Sequence, residues 1–277
     1  MSKIAKALEK AKATQGMSPL QEEVHHGHTS SRLSRGEEAS TAGFSTPHPQ
    51  YSMTRVRKLN NATLEQNRIL TPDSSQAVKD AYDLLRTQIL HRTKEKGWNT
   101  LMVTSAVSGE GKTITALNLA LSMARQADQT ALLVDANLRS PAVTGYLGLE
   151  SESMGLSDYL LQDDVIVPDL LINPDVEKFV VLPAGRPLSG STDVLGTPRM
   201  RHLVGDLKNR YPDRYVIYDC PHILSMPDSL VFASYVDAIL VVVEANSTSR
   251  HHIESAMKQL EGRNIVGTVI NKIEIAA

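Results

Sequence analysis

Ser105-Ala-Val-Ser-Gly-Glu-Gly-Lys-Thr113 decides how the rest of the chain is read. A short apolar run, Thr100-Leu-Met-Val-Thr104, precedes it, and the alternating Ile114-Thr-Ala-Leu-Asn-Leu-Ala120 follows. Strand, glycine-rich turn and helix in that order are the context of a phosphate-binding loop. Glycines let the backbone curl so that successive N–H groups point inward, and the helix that starts near Lys112 adds its positive end. Lys112 is placed to reach the β- and γ-phosphates, and Thr113 to put its hydroxyl on Mg²⁺. Ser108, Gly109, Glu110, Gly111, Lys112, Thr113 and Ile114 are therefore the candidate nucleotide contacts. Ala106 stands where the strict pattern has glycine, a mild departure. The plain alternative is a strand-to-helix turn that happens to contain Gly-Lys-Thr.

Working outward, apolar runs alternate with helical periods. Thr71-Pro-Asp-Ser-Ser75 starts a helix over Ala77 to about His91, with Val78, Ala81, Tyr82, Leu85 and Ile89 on one face. Strands are expected at Thr130–Asp135, Phe179–Leu182, Tyr215–Asp219, Val236–Glu244 and Asn264–Ile270. Between them lie helical pieces over Val143–Leu161 and helices at Pro198–Leu207 and Ser249–Glu261. Tyr51–Leu59 alternates loosely as an edge strand, and Asn61–Gln66 is one or two helical turns. The alternation predicts an α/β fold of three layers, a mostly parallel sheet covered on both faces. Ligands of such sheets sit at the carboxyl ends of the strands, and Asp135, Asp219 and Asn271 all fall there.

The chain has 277 residues and is 41% hydrophobic, enough for one α/β domain, read as 51–277, plus extensions. Ser2–Ala13 reads as a short amphipathic helix with Ile4 and Leu8 on one face, to dock on a partner or stay solvated. Residues 14–50 lack an apolar period and read as a disordered linker. His25, His26 and His28 lie in it without a second cluster and read as polar filler rather than a metal site. A formal net charge of −2 gives no electrostatic case for nucleic acid. A single cysteine, Cys220, permits no internal disulfide and points to a reducing cytoplasm. No apolar run approaches the roughly 20 residues of a membrane helix, and the N-terminus lacks the apolar core of a signal peptide.

A triphosphate with Mg²⁺ needs carboxylates around the metal and an acceptor held in line. Asp219 suits the metal, and Asp135 the metal or the proton of an incoming hydroxyl; taken singly, each is equally a cap or a solvated loop acid. Asp135-Ala-Asn-Leu-Arg-Ser-Pro141 resembles the Walker A′ segment, Asp-Ala-Asp-Leu-Arg-x-Pro, of bacterial tyrosine kinases of the capsule and exopolysaccharide CpsD/CapB type. Asp80–Ile89, Gly155–Leu160, Leu182–Arg186, Asp193–Met200 and Tyr215–Pro221 continue the likeness in order, so it covers about residues 70–277. The resemblance implies a P-loop fold and ATP- and Mg²⁺-dependent phosphorylation of protein tyrosines. It gives catalytic roles to Lys112, Asp135 and Asp219, metal roles to Thr113, Asp135 and Asp219, and adds Arg139 and Asn271 to the nucleotide contacts. It also implies a membrane polysaccharide co-polymerase (chain-length regulator) as partner, a protein tyrosine as substrate, and a cytoplasmic protein peripheral to the inner membrane through that partner.

The chain departs from the pattern in four places. Asn137 replaces the second acid of Walker A′. The self-association motif Glu-x-x-Arg-x-x-Arg reads Asp80-x-x-Asp83-x-x-Arg86, so a homo-oligomer stays open but Asp83 is expected to pair with Arg86 rather than with a neighbour in a closed ring. Cys220 and His222 replace the usual Thr and Pro. The tail after Asn271 has no tyrosine, which leaves Tyr51, beside the linker, as the expected self-acceptor. A second class of function therefore stays open, a regulatory or scaffold ATPase of the export machinery with weakened catalysis. The partition and division-site ATPases are disfavoured because Val107 occupies the place of their signature lysine.

Overall fold

The computed structural model describes residues 54–149 and 154–273. The expected N-terminal helix, the linker and Tyr51 lie outside the described residues. In chain order the elements are β1 (Arg55–Val56), α1 (Asn61–Gln66), α2 (Gln76–Thr93), β2 (Thr100–Ser105), α3 (Lys112–Ala124) and β3 (Thr130–Asp135). Then come α4 (Val143–Leu147), α5 (Leu156–Leu161), α6 (Val167–Leu170), β4 (Ile172–Asn173), β5 (Phe179–Leu182), α7 (Ser191–Leu195) and α8 (Pro198–Asn209). β6 (Arg214–Asp219), α9 (Pro227–Phe232), β7 (Ala238–Glu244), α10 (Arg250–Gln259) and β8 (Ile265–Asn271) complete the fold.

One eight-stranded sheet runs β1-β4-β5-β3-β6-β2-β7-β8. All neighbouring pairs are parallel except β4 with β5, where Ile172 faces Val181 in an antiparallel step. Alternation along each strand divides the core. Leu101, Val103, Leu133, Ile217 and Leu240 pack on one face with residues of α1 to α4. Met102, Leu132, Val134, Val216 and Val241 pack on the other with residues of α5, α8 and α10. Every residue of β2, β3 and β6 is buried, as a doubly covered parallel sheet requires.

Two pairings among these elements concern the segments singled out above. Asp83 on α2 accepts from Arg86 one turn on (3.0 Å), from the Ser122 hydroxyl (2.6 Å) and from Arg125 (2.8 Å), the last two belonging to or following α3. The reversed charge is thus absorbed inside the molecule, as expected. Gly155-Leu-Ser-Asp and Pro183-Ala-Gly-Arg lie against each other, with Leu156 N–H donating to Pro183 O and Ser157 N–H to Ala184 O, each at 2.8 Å. A Cβ on Gly155 would come within 2.2 Å of Pro183 O, so only glycine fits there.

Candidate active site

The register of β3 with β6 pairs Asp135 with Asp219, so two carboxylates leave the sheet side by side. Both are fully buried. Asp135 Oδ1 accepts from Asn137 N–H (3.1 Å), and Oδ2 from Ala142 and Val143 N–H (3.0 and 3.1 Å). Burial, and next the charge of Asp219, push the Asp135 carboxyl up to about 7; the three backbone N–H groups pull against them. Asp219 is raised as well by burial, opposed by the Lys112 ammonium and the Thr113 hydroxyl.

Thr113, in the first turn of α3, donates its hydroxyl to Asp219 Oδ2 at 2.6 Å. Asp219 Oδ1 is buried and has no hydrogen-bond partner among the described residues. An orphaned buried carboxylate oxygen is costly unless a cation or its water meets it. Thr113 and Asp219 therefore fit Mg²⁺ carried in with phosphates, which needs only one or two carboxylates from the protein. Among the described residues there is no group of three His, Cys, Asp or Glu able to hold a metal unaided.

The phosphate loop wraps the end of β2. Gly109 and Gly111 are left-handed, at φ 87° and 88°. Asn271, at the end of β8, donates its amide to Glu110 O (2.9 Å). A Cβ at Gly111 would lie 2.0 Å from that amide nitrogen. Gly111→Ala should therefore cost about 2–3 kcal/mol, the sum of left-handed strain and a displaced hydrogen bond. Thermal unfolding checks this, and adding Asn271→Ala should recover part of the loss; strict additivity would show that the clash is not the cause.

The loop, α4 and the segment after β6 enclose a cleft of about 410 Å³. Of the candidate nucleotide contacts, Ser108, Gly109, Gly111, Lys112, Thr113 and Ile114 line it. Glu110 does not. Its carboxylate turns inward, accepting from Val107 N–H (2.7 Å) and from the Thr248 hydroxyl, so its side chain shapes the loop from behind. Asn271 likewise braces the loop. Arg139 lies 3.9 Å from Asp228, itself buried and held by Ser191 and Thr192, and is not among the cleft-lining residues.

Eight further lining residues, among them Tyr146, His222, Met226 and Lys272, are not among the contacts expected from the sequence. In the sequence His222 stands out only as a departure from the family pattern, and no local pattern brings Tyr146 or Met226 to the loop. Burial and then Lys112 hold the His222 imidazole below its ordinary pKa. Asn137 also lines the cleft, donating its amide to Ser140 O (2.7 Å) and accepting from Ser140 N–H (3.3 Å). Cys220 is wholly buried, its thiol pushed well up by burial and by Asp219 and Asp135.

Residues 99–273 match the family model described as AAA domain. Tyrosine-protein kinase CpsD of Streptococcus agalactiae is 29% identical over 197 residues, which span 70% of this chain and 83% of that protein. The kinase domain of Escherichia coli tyrosine kinase ETK superposes with a TM-score of 0.65 at 26% identity, covering 81% of this chain and 92% of that one. The septum site-determining protein MinD of Pyrococcus horikoshii, solved with Mg-ADP, shares the fold at a TM-score of 0.51 and 19% identity over 62% of this chain and 69% of its own. The chain belongs to the AAA-domain family of P-loop nucleotide-binding proteins and is related within it to the bacterial tyrosine kinases.

Proposed function

We propose that the protein is an ATP- and Mg²⁺-dependent protein-tyrosine kinase of capsule or exopolysaccharide biosynthesis and export, stimulated by a membrane chain-length regulator. The observation that carries this is the pair of buried carboxylates, Asp135 and Asp219, registered side by side at the phosphate loop. Kinship with CpsD and the ETK kinase domain supplies the reaction class. Among the described residues no helix is long and apolar enough to cross a membrane, so membrane contact is assigned to the partner.

In this reading the loop N–H groups and Lys112 hold the β- and γ-phosphates, with Thr113 and Asp219 beside the metal. Bound Mg²⁺ supplies charge neutralisation for the phosphates. Asp135, ionised, takes the proton of the acceptor phenol as its oxygen bonds to the γ-phosphorus. The bond from that phosphorus to the β,γ-bridging oxygen breaks, and ADP leaves with the electron pair. Arg139 is kept as a nucleotide contact on the strength of the resemblance alone; its side chain would have to leave Asp228 to serve.

Asn137 favours a second reading, a weakened regulatory ATPase. An amide cannot take up a proton near neutrality, and here both of its ends are engaged by Ser140. Labelled ATP with Mg²⁺, with and without the cytoplasmic tail of the co-encoded regulator, separates the two. We expect phosphotyrosine on a separate protein or on Tyr51. Among the described residues Tyr211, 43% exposed in the loop before β6, offers an accessible phenol. Tyr215 and Tyr218 are buried in β6, and label there would contradict attack by an accessible hydroxyl. No phosphotyrosine on any protein, with ATP still hydrolysed, would leave the ATPase. Asn137→Asp should raise the rate if the missing acid limits it; a fall would mean that the loop is built around the amide.

A further inference from the structure

Lys272 follows β8 directly and is one of the few non-glycine residues with a left-handed backbone, at φ 57°. A lysine gains nothing locally from that conformation, and such residues gather where surrounding structure needs a side chain aimed in one direction. Here the direction is set by the neighbour. Asn271 is tied by its amide to the loop at Glu110 O, and its carbonyl accepts from Ala245 N–H (2.9 Å), which anchors the end of β8 to the end of β7. Thr248 in the same turn reaches the Glu110 carboxylate. The position of residue 272 is thus fixed relative to the phosphate loop, and Lys272 lines the cleft with Lys112.

The Lys272 ammonium donates to Glu244 Oε2 at 2.9 Å. That is its single hydrogen bond among the described residues, so two of its three N–H donors are uncommitted. Its side chain is 39% exposed and that of Glu244 25%. A half-exposed Lys–Glu pair of this kind contributes little to stability. It does keep a cation extended at the rim of an anion site.

We propose that Lys272 is a second nucleotide-binding lysine, which moves from Glu244 to the polyphosphate of a bound nucleoside di- or triphosphate. This rests on the nucleotide reading of the cleft. Glu244 is then the resting counter-ion that holds Lys272 ready, and its carboxylate competes with the phosphates for the same ammonium. That competition gives the two partners opposite signs, which a merely structural ion pair would not.

The test is titration of the full chain with a fluorescent ADP analogue at several salt concentrations. Lys272→Met should weaken binding about ten- to hundredfold, the worth of a charge-assisted hydrogen bond, and flatten the salt dependence. Lys272→Arg should retain most of the affinity. Glu244→Gln should bind as tightly as wild type or tighter. Thermal unfolding of each variant shows that the fold is kept. Lys272→Met within twofold of wild type, or Glu244→Gln weakening in step with Lys272→Met, would overturn the proposal. A wild-type protein that binds no nucleotide would refute the underlying reading, and this proposal with it.

Discussion

Lys112→Ala should reduce phosphotransfer by about two to three orders of magnitude, the usual cost of removing one preorganised charge from a site of developing negative charge. Two effects act together. The β- and γ-phosphates lose the cation at the first residue of α3. Asp219 also loses the charge that holds its raised pKa down. Its carboxyl then moves further up, which favours the protonated form and weakens the metal site with the phosphate site. The acid limb of the pH–rate profile should accordingly move to higher pH in this variant. Labelled-ATP turnover measured across pH checks both parts. A variant that binds and turns over ATP like wild type would mean that the loop is only a turn between β2 and α3.

Asp135→Asn should lower turnover by about a hundred- to ten-thousandfold if Asp135 takes the acceptor proton, while nucleotide affinity changes little. The wild-type kcat/KM should rise with pH through about 7, where the Asp135 carboxyl ionises. The same group makes a stability prediction of opposite sense. Its pKa is about 7 folded against an ordinary 3.8. Between those values the native state binds more protons than the unfolded chain, so stability falls as pH rises through that window. Asp219, raised in the same direction, adds to the slope. Asp135→Asn should flatten it. Melting temperatures from pH 4 to 8 decide the matter; an unchanged slope would remove Asp135 from the titration. Because an amide must point N–H at one of the backbone N–H groups that the carboxylate now accepts, the variant should also be less stable on the acid side, where the native carboxyl is neutral.

Much of this was legible because it is local. The strand, loop and helix from Thr100 to Ala124 follow from apolar run, glycine spacing and period, and were expected within a residue or two. Asp135 and Asp219 could be read as strand ends, although only the register of β3 with β6 shows them to be neighbours. The pieces that escaped are short or non-local. Ile172–Asn173, two residues before a proline, is a strand only because β1 and β5 flank it. Neither α7 nor α9 carries enough turns to show a period. The inward turn of Glu110 was invisible because its partner Thr248 lies 138 residues away. Lys272 looked like the end of a strand; only its backbone and its place on the cleft distinguish it.

Cys220 follows Asp219 directly and is the chain's single thiol, so it serves as a native reporter of breathing in the catalytic floor. With the thiolate disfavoured by burial and by three acidic neighbours, Asp219, Asp135 and Asp228, alkylation proceeds through molecules in which the segment at the end of β6 has opened. The labelling rate therefore measures how often the segment after Asp219 opens beside the phosphate loop, without any engineered probe. A ligand that engages Lys112, Thr113 and Asp219 should slow it in proportion to occupancy, converting one unreactive sulfur into a binding assay for chemistry that takes place next to it.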